Sequence, residues 1–156
     1  GLYELWCKKS GHKYKDDYTL TDILESLPKY TTTGVSEPRA VLKVPSLDHA
    51  ELKRNFQKKF EADWEKNPLR KKYGLESYRI AITNGTKERY DVADWGESGK
   101  GGLKVVFYNN KKEPVAFIWM RGSGTEPVFR IMCDVRGTDI QMEKDLLEWE
   151  TKLLGN

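Results

Sequence analysis

Apolar residues recur at a helical spacing in two long stretches of the chain. In each stretch an apolar side chain appears at every third or fourth position, which places these residues on one face of a helix. The first helix is predicted to follow Pro45, with Ser46 as its N-cap, and to end at Asn67-Pro68. The second is predicted over residues 138–154. The two stripes, which we expect to pack in a core, are Leu52, Phe56, Phe60 and Trp64 in the first helix and Met142, Leu146, Trp149 and Leu153 in the second.

Shorter runs rich in β-branched and aromatic residues predict strands. They cover residues 39–44, 77–83, 103–108, 114–120 and 128–135, with a tight hairpin at 109–112 and a turn-rich connection over 84–102. Strands joined by hairpins, together with two long amphipathic helices, predict an α+β fold. We expect a mostly antiparallel sheet with both long helices on one of its faces.

The first 30 residues contain two short helical patterns, around residues 2–9 and 19–30, and Pro28 ends the second. These patterns have too few apolar residues to form a core of their own. Residues 31–38 contain Gly34 and Pro38 and predict a linker or hinge. We therefore divide the chain into an N-terminal helical arm with a hinge, residues 1–37, and a second unit, residues 38–156. Because the chain opens inside a helical pattern, we expect it to be part of a longer protein.

Composition narrows the functional classes. The chain has 156 residues, 33% of them charged, and a net charge of +3. Basic and acidic residues are interspersed along the chain, so the sequence lacks the dense basic stripe of a nucleic-acid-binding protein. It shows neither an apolar run of membrane-spanning length nor a signal peptide, so we expect no membrane partner. Of the two cysteines, Cys7 and Cys133, the second lies in a predicted strand and is expected to be buried and reduced, which favours a cytoplasmic protein.

The stretch WMRGSGTEPVFRIMCDV, residues 119–135, places a polar loop between two strands. Alternation along the second strand puts Arg130 on the less apolar face, while Arg121 ends the preceding strand. Glycines allow successive backbone N–H groups to point into one concavity, and Ser123 and Thr125 add hydroxyls. Such a loop beside two arginines has the chemistry of a phosphate site. The alternative is an ordinary hairpin whose arginines pair with acidic neighbours, Glu126 and Asp134, and composition alone does not choose between the two.

The longer pattern Arg121-x-Ser123-Gly124-Thr125-Glu126-Pro127-x-x-Arg130 resembles the phosphate-binding loop of the α-D-phosphohexomutases, the family of phosphoglucomutase and phosphomannomutase. The resemblance implies that residues 1–37 end the third domain of such an enzyme and that residues 38–156 form its fourth, C-terminal domain, with a fold similar to the TATA-binding-protein class. It implies that five residues bind the substrate phosphate: Arg121, Ser123, Gly124, Thr125 and Arg130. Gly122, Glu126 and Pro127 are then expected to shape the loop. Two features depart from the family: Asp134 stands where glutamate is common, and residues 84–102 are longer than in its compact members.

The resemblance also implies a reaction, the interconversion of hexose 1-phosphate and hexose 6-phosphate, with glucose or mannose as the sugar. In that family a phosphoserine donates its phosphoryl group and a bisphosphorylated sugar is the intermediate. The sequence contains no family-type phosphoserine, metal-binding or sugar-selecting loop. We therefore assign no catalytic or metal-binding residue to this chain and expect it to be inactive alone. Mg²⁺ is expected in another domain of the full-length enzyme, and the expected partners are the hexose phosphate and the remaining domains.

Other candidate motifs are weaker. The glycine-rich stretch at 95–102 lacks the spacing of a nucleotide-binding loop, and its acids lack the order of a calcium loop, so a surface loop is predicted. His12 and His49 are expected at surface or capping positions, and the tryptophans in the core. Two rival functions remain: a stand-alone phospholigand-binding module without catalysis, and a nucleic-acid binder, which the clustering of both arginines at one loop disfavours.

Overall fold

The computed structural model describes residues 29–34, 36–44, 48–123 and 128–155. The helical patterns predicted before residue 29 lie outside this range. The described residues form strands β1 (Tyr30–Thr32), β2 (Val41–Lys43), β3 (Ser77–Asn84), β4 (Lys87–Tyr90), β5 (Gly102–Tyr108), β6 (Pro114–Gly122) and β7 (Val128–Arg136), and helices α1 (His49–Trp64), α2 (Pro68–Tyr73) and α3 (Ile140–Gly155). Two short 3-10 helices, Pro38–Ala40 and Trp95–Ser98, complete the order.

The seven strands form one sheet in which every pairing is antiparallel. The order is β1-β7-β6-β5-β3-β4, and β2 also pairs with β7. β1 and β2 share one edge of β7, since β1 pairs with its last residues and β2 with its first. Consecutive strands β5, β6 and β7 are neighbours, as expected where short hairpins connect antiparallel strands.

Both long helices contribute to one apolar core on one face of the sheet. Phe60 of α1 stacks on Trp149 of α3, with ring centroids 5.1 Å apart, and on Phe107 of β5. The predicted stripes are buried, apart from Leu52, which is partly buried. The α+β fold with an antiparallel sheet and helices packed on it is therefore confirmed.

The other face of the sheet, called here the open face, carries Phe117, Trp119 and Arg121 from β6, and none of the described helices covers it. The alternation predicted for the last strand is confirmed. Its inward residues Phe129, Ile131, Cys133 and Val135 are buried, whereas Val128, Arg130, Met132 and Asp134 are not. Cys133 is a free, buried cysteine, as predicted, and burial raises the pKa of its thiol.

Three predicted boundaries are corrected. Helix α1 begins at His49 and its N-cap is Asp48, whose side chain accepts a hydrogen bond from the Glu51 N–H, so the predicted cap at Ser46 is wrong. Asn67-Pro68 ends α1 but also starts α2, because the Asn67 side chain caps it and proline fits the first helical turn. Residues 84–102 contain strand β4 and a 3-10 helix that a turn-rich composition concealed.

The predicted hinge begins inside the sheet. Thr31 and Thr32 belong to β1 and pair with Val135 and Asp134 of β7. Thr33 is buried, and its hydroxyl donates to Glu143 of α3. The first half of the segment predicted as a linker is thus attached to the second unit. The boundary between the two predicted units stays a prediction.

Candidate functional site

Arg121 and Arg130 lie directly opposite each other in the β6–β7 ladder. Residues that face each other across an antiparallel pair project from the same side of a sheet, so both arginines belong to the open face. Both are exposed. Beyond them Ser123 donates its backbone N–H to the Val128 carbonyl at 3.0 Å, which extends the pairing to the start of the loop. The structure brings together Arg121, Gly122, Ser123 and Arg130, while Gly124, Thr125, Glu126 and Pro127 lie outside the described residues.

The arginine pair, Arg121 and Arg130, forms no ion pair with any described residue. The neighbouring carboxylate of Asp134 instead accepts a hydrogen bond from the Thr32 hydroxyl. By contrast, Arg79 of β3 pairs with Asp91 at 2.7 Å. Like charges directly opposite each other destabilise a strand pair. The two facing guanidinium groups therefore repel each other, and an anion bound between them would reduce this repulsion.

His49 packs beneath the start of the loop. Its ring is only 2% exposed and meets Phe129 edge-on, with centroids 5.1 Å apart. Neither ring nitrogen has a hydrogen-bond partner in the described part of the chain. Burial, followed by the charges of Lys53 and Lys100, lowers the pKa of His49. The prediction of a surface or capping position is therefore wrong, because His49 is the first residue of α1, after the N-cap Asp48, and its side chain is buried.

Gly122 is required by this packing. A Cβ atom at residue 122 would lie 1.8 Å from Nδ1 of His49, far inside contact distance. We expect Gly122→Ala to destabilise the protein by about 1–3 kcal/mol, because the buried ring must move. Urea unfolding measures this change, and Gly155→Ala, where an added Cβ meets nothing within 4 Å, is the control.

A double-mutant cycle isolates the contact. In a His49→Ala background the Gly122→Ala substitution is expected to cost much less, since the ring that it would strike is gone. Equal costs in both backgrounds would show that the effect arises elsewhere, in the backbone of β6 or in the loop.

Lys53 lies one helical turn after His49 and is fully buried. Its ammonium donates to the Ser98 hydroxyl at 2.7 Å and to the carbonyls of Gly99 and Gly101 at 2.7 and 2.6 Å. These bonds attach α1 to the glycine-rich stretch before β5. Burial, with a smaller contribution from the charge of Arg121, lowers the pKa of Lys53 to about 7. The predicted surface loop is therefore wrong for the first part of this stretch, where Trp95, Gly96 and Ser98 are buried.

The glycine-rich stretch also forms one wall of a cavity beside Arg121. The cavity has a volume of about 130 Å³ and is lined by Thr83, Gly85, Gly101, Gly102, Trp119 and Arg121. Trp119 is half-buried on the open face, in contrast to Trp64, Trp95 and Trp149 of the core. The expectation that tryptophans belong to the core thus fails at this position.

Sequence reasoning found the arginine pair and missed the groups around it. His49 and Lys53 are four residues apart on α1, a spacing that places them on one face of the helix. The pattern predicted burial only for the apolar residues of that face. Gly101 and Gly102 belong to the glycine-rich stretch that the sequence predicts to be a surface loop. Their link to Arg121 depends on the β5–β6 pairing of Gly102 with Arg121, which sequence spacing alone does not show.

The described residues contain no group of three or more His, Cys, Asp or Glu side chains arranged to hold a metal ion. Nor does the described part of the chain contain a helix with the length and apolar character needed to cross a membrane. No protein-family model and no curated protein matches the chain.

Proposed function

We propose that this chain supplies the phosphate-binding domain of a phosphohexomutase that interconverts hexose 1-phosphate and hexose 6-phosphate. The observation that carries the proposal is the cross-strand pair of Arg121 and Arg130 at the start of a glycine- and hydroxyl-rich loop. The motif resemblance supports the sugar phosphate as substrate. The catalytic phosphoserine and Mg²⁺ are assigned to other domains of the same enzyme.

The arginine pair suits a phosphate monoester for electrostatic and geometric reasons. A phosphate dianion supplies two negative charges between two guanidinium groups that otherwise repel each other. Guanidinium groups are planar donors that match phosphate oxygens in a bidentate arrangement. The arginine pair binds the phosphate group that does not react. This holds the sugar in place while the other end of the molecule reacts. Positioning and charge compensation of this kind account for most of the protein's contribution to phosphoryl transfer.

We expect the 156-residue chain to bind glucose 1-phosphate and to lose at least about tenfold in affinity on Arg130→Ala or Arg121→Ala, since one charged hydrogen bond contributes about 1.5–3 kcal/mol. Isothermal titration calorimetry at low salt measures the dissociation constants. Arg136→Ala is the matched control, because Arg136 is exposed and lies at the opposite end of the same strand.

Equal losses in all three variants would indicate a general effect of charge and contradict the phosphate site. The mutase itself is tested in a protein that joins this chain to the phosphoserine and metal-binding domains. There Arg130→Ala should lower kcat/KM for glucose 1-phosphate while the chain alone shows no turnover. Binding that persists without any effect on mutase turnover would favour the stand-alone phospholigand-binding module.

A further inference from the structure

The cavity beside Arg121 lies on the open face, next to the arginine pair. Thr83 of β3 faces Gly102 of β5, and Gly102 in turn faces Arg121 of β6. The cavity therefore runs across three neighbouring strands at the end of the sheet that carries the loop. Arg121 belongs both to the arginine pair and to the cavity lining, so a ligand held at the pair has direct access to this space.

Glycines open the cavity, and one tryptophan bounds it. The indole of Trp119 lies against Gly102. A Cβ atom at residue 102 would be only 2.8 Å from the indole Nε1. A Cβ at Gly101 would lie 2.1 Å from the Thr83 carbonyl. Larger residues at these two positions would thus displace the indole or the neighbouring strand.

Two polar side-chain groups of the cavity, the indole N–H of Trp119 and the hydroxyl of Thr83, are available to a ligand. No described residue accepts a hydrogen bond from Nε1 of Trp119 or donates one to the Thr83 hydroxyl. Nε1 is not fully buried, and because Trp119 lines the cavity this N–H is accessible from it. A tryptophan with an apolar ring and an accessible N–H is suited to a ligand that presents both C–H surface and hydroxyl oxygens.

We infer that this cavity is a subsite for the hydroxyl-bearing ring of a sugar phosphate whose phosphate is bound by Arg121 and Arg130. The inference rests on the proposed function and adds a contact made by this domain to the sugar itself. Among the described residues of the lining Arg121 alone is charged, which favours a neutral polyol over a second anion. The indole N–H and the Thr83 hydroxyl supply directional hydrogen bonds, as small-molecule sites with few polar groups require.

Comparing the affinities of two phosphate monoesters that share the same charged group distinguishes binding at this subsite from binding at the arginine pair. Methyl phosphate reaches only the arginine pair, whereas glucose 1-phosphate also reaches the cavity. We expect the chain to bind glucose 1-phosphate at least about tenfold more tightly than methyl phosphate, as one or two additional hydrogen bonds would give. Trp119→Phe should abolish most of this difference and leave the affinity for methyl phosphate unchanged.

Gly102→Ala provides a second, independent variant, because its methyl group enters the space beside the indole while the tryptophan is retained. It should reduce the same ratio. Phe117→Leu is the control: Phe117 lies two residues before Trp119 on the same face and does not line the cavity. Circular dichroism on every variant identifies those that fold, and the ratio is read from them.

The outcomes of the two proposals differ. If neither ester binds the wild-type chain, the phosphate site fails and the subsite fails with it. If both bind equally, or if Trp119→Phe and Gly102→Ala keep the wild-type preference for glucose 1-phosphate, the subsite is overturned and the phosphate site stands. Loss of the preference in both variants, with methyl phosphate binding intact, supports the subsite.

Discussion

Replacing Glu150 by leucine is expected to stabilise the protein by about 2–4 kcal/mol near pH 7. Glu150 is fully buried in α3, and neither of its carboxyl oxygens has a hydrogen-bond partner in the described part of the chain. A carboxyl group removed from water without a partner costs free energy in either protonation state, and the charged state costs more. Leucine is apolar and needs no hydrogen-bond partner.

The same residue gives wild-type stability a pH dependence of defined sign. Burial raises the pKa of Glu150 well above its ordinary value of 4.5. Above pH 4.5 the unfolded chain releases this proton while the folded chain retains it, so the folded state binds more protons. The free energy of unfolding contributed by this group therefore falls as the pH rises from 4.5 towards the folded-state pKa.

Urea unfolding of wild type and Glu150→Leu between pH 4.5 and 7.5 measures both effects. The gain in stability of the variant should grow with pH. Glu148→Leu is the matched control, since Glu148 is an exposed residue of the same helix, and it should give little gain at any pH. A gain for Glu150→Leu that does not change with pH would mean that the carboxyl group is charged in the folded state or finds a partner.

The sequence predicted the fold class well because the strongest signals were local. Every predicted strand exists, and the helix stripes of α1 and α3 are where the apolar spacing placed them. Local patterns failed where tertiary packing decides. On α3 a second stripe, Glu143, Leu147, Glu150 and Leu154, is also buried, and a hydrophobic pattern does not predict that two of its members are acids. One of them, Glu143, is explained by its hydrogen bonds to Thr33 and Arg39, which are distant in sequence.

The site shows the same division. Alternation along β7 predicted that Arg130 lies on the less apolar face, and the strand register shows that Arg121 lies on the same face. The surroundings depend on contacts between residues far apart in the chain, such as Lys53 with Gly101 and His49 with Gly122. These contacts are made by single residues that belong to no periodic pattern, so the local sequence did not predict them. The resemblance to the phosphate loop remains a prediction about function.

The second large effect concerns Lys53, whose burial should make the protein more stable as the pH rises from about 7 towards 10. The pKa of Lys53 is about 7 in the folded state, against an ordinary value of 10.5. Between these values the unfolded chain binds a proton that the folded chain has released, so the free energy of unfolding rises with pH. The full difference amounts to about 4–5 kcal/mol. Below pH 7 the amine is charged in both states and the slope from this group vanishes.

Lys53→Met tests this directly, because methionine retains the aliphatic stem and removes the titrating group. The variant should lack the rise between pH 7 and 9.5 in urea unfolding, whatever its stability at pH 7. Lys58→Met, at an exposed position of the same helix, should keep the wild-type slope. A Lys53→Met protein with the wild-type slope would show that the three acceptors around Nζ keep the amine charged well above pH 7.

Lys53 also connects stability to the candidate site. Because the charge of Arg121 helps to lower the pKa of Lys53, an anion bound at Arg121 offsets that charge and should raise this pKa. In saturating phosphate the rise in stability should therefore begin at a higher pH than in a chloride buffer of equal ionic strength. Arg121→Ala should remove this difference between the two buffers, because both the repulsion and the anion are then lost. A phosphate effect that survives in Arg121→Ala would locate the bound anion elsewhere on the protein.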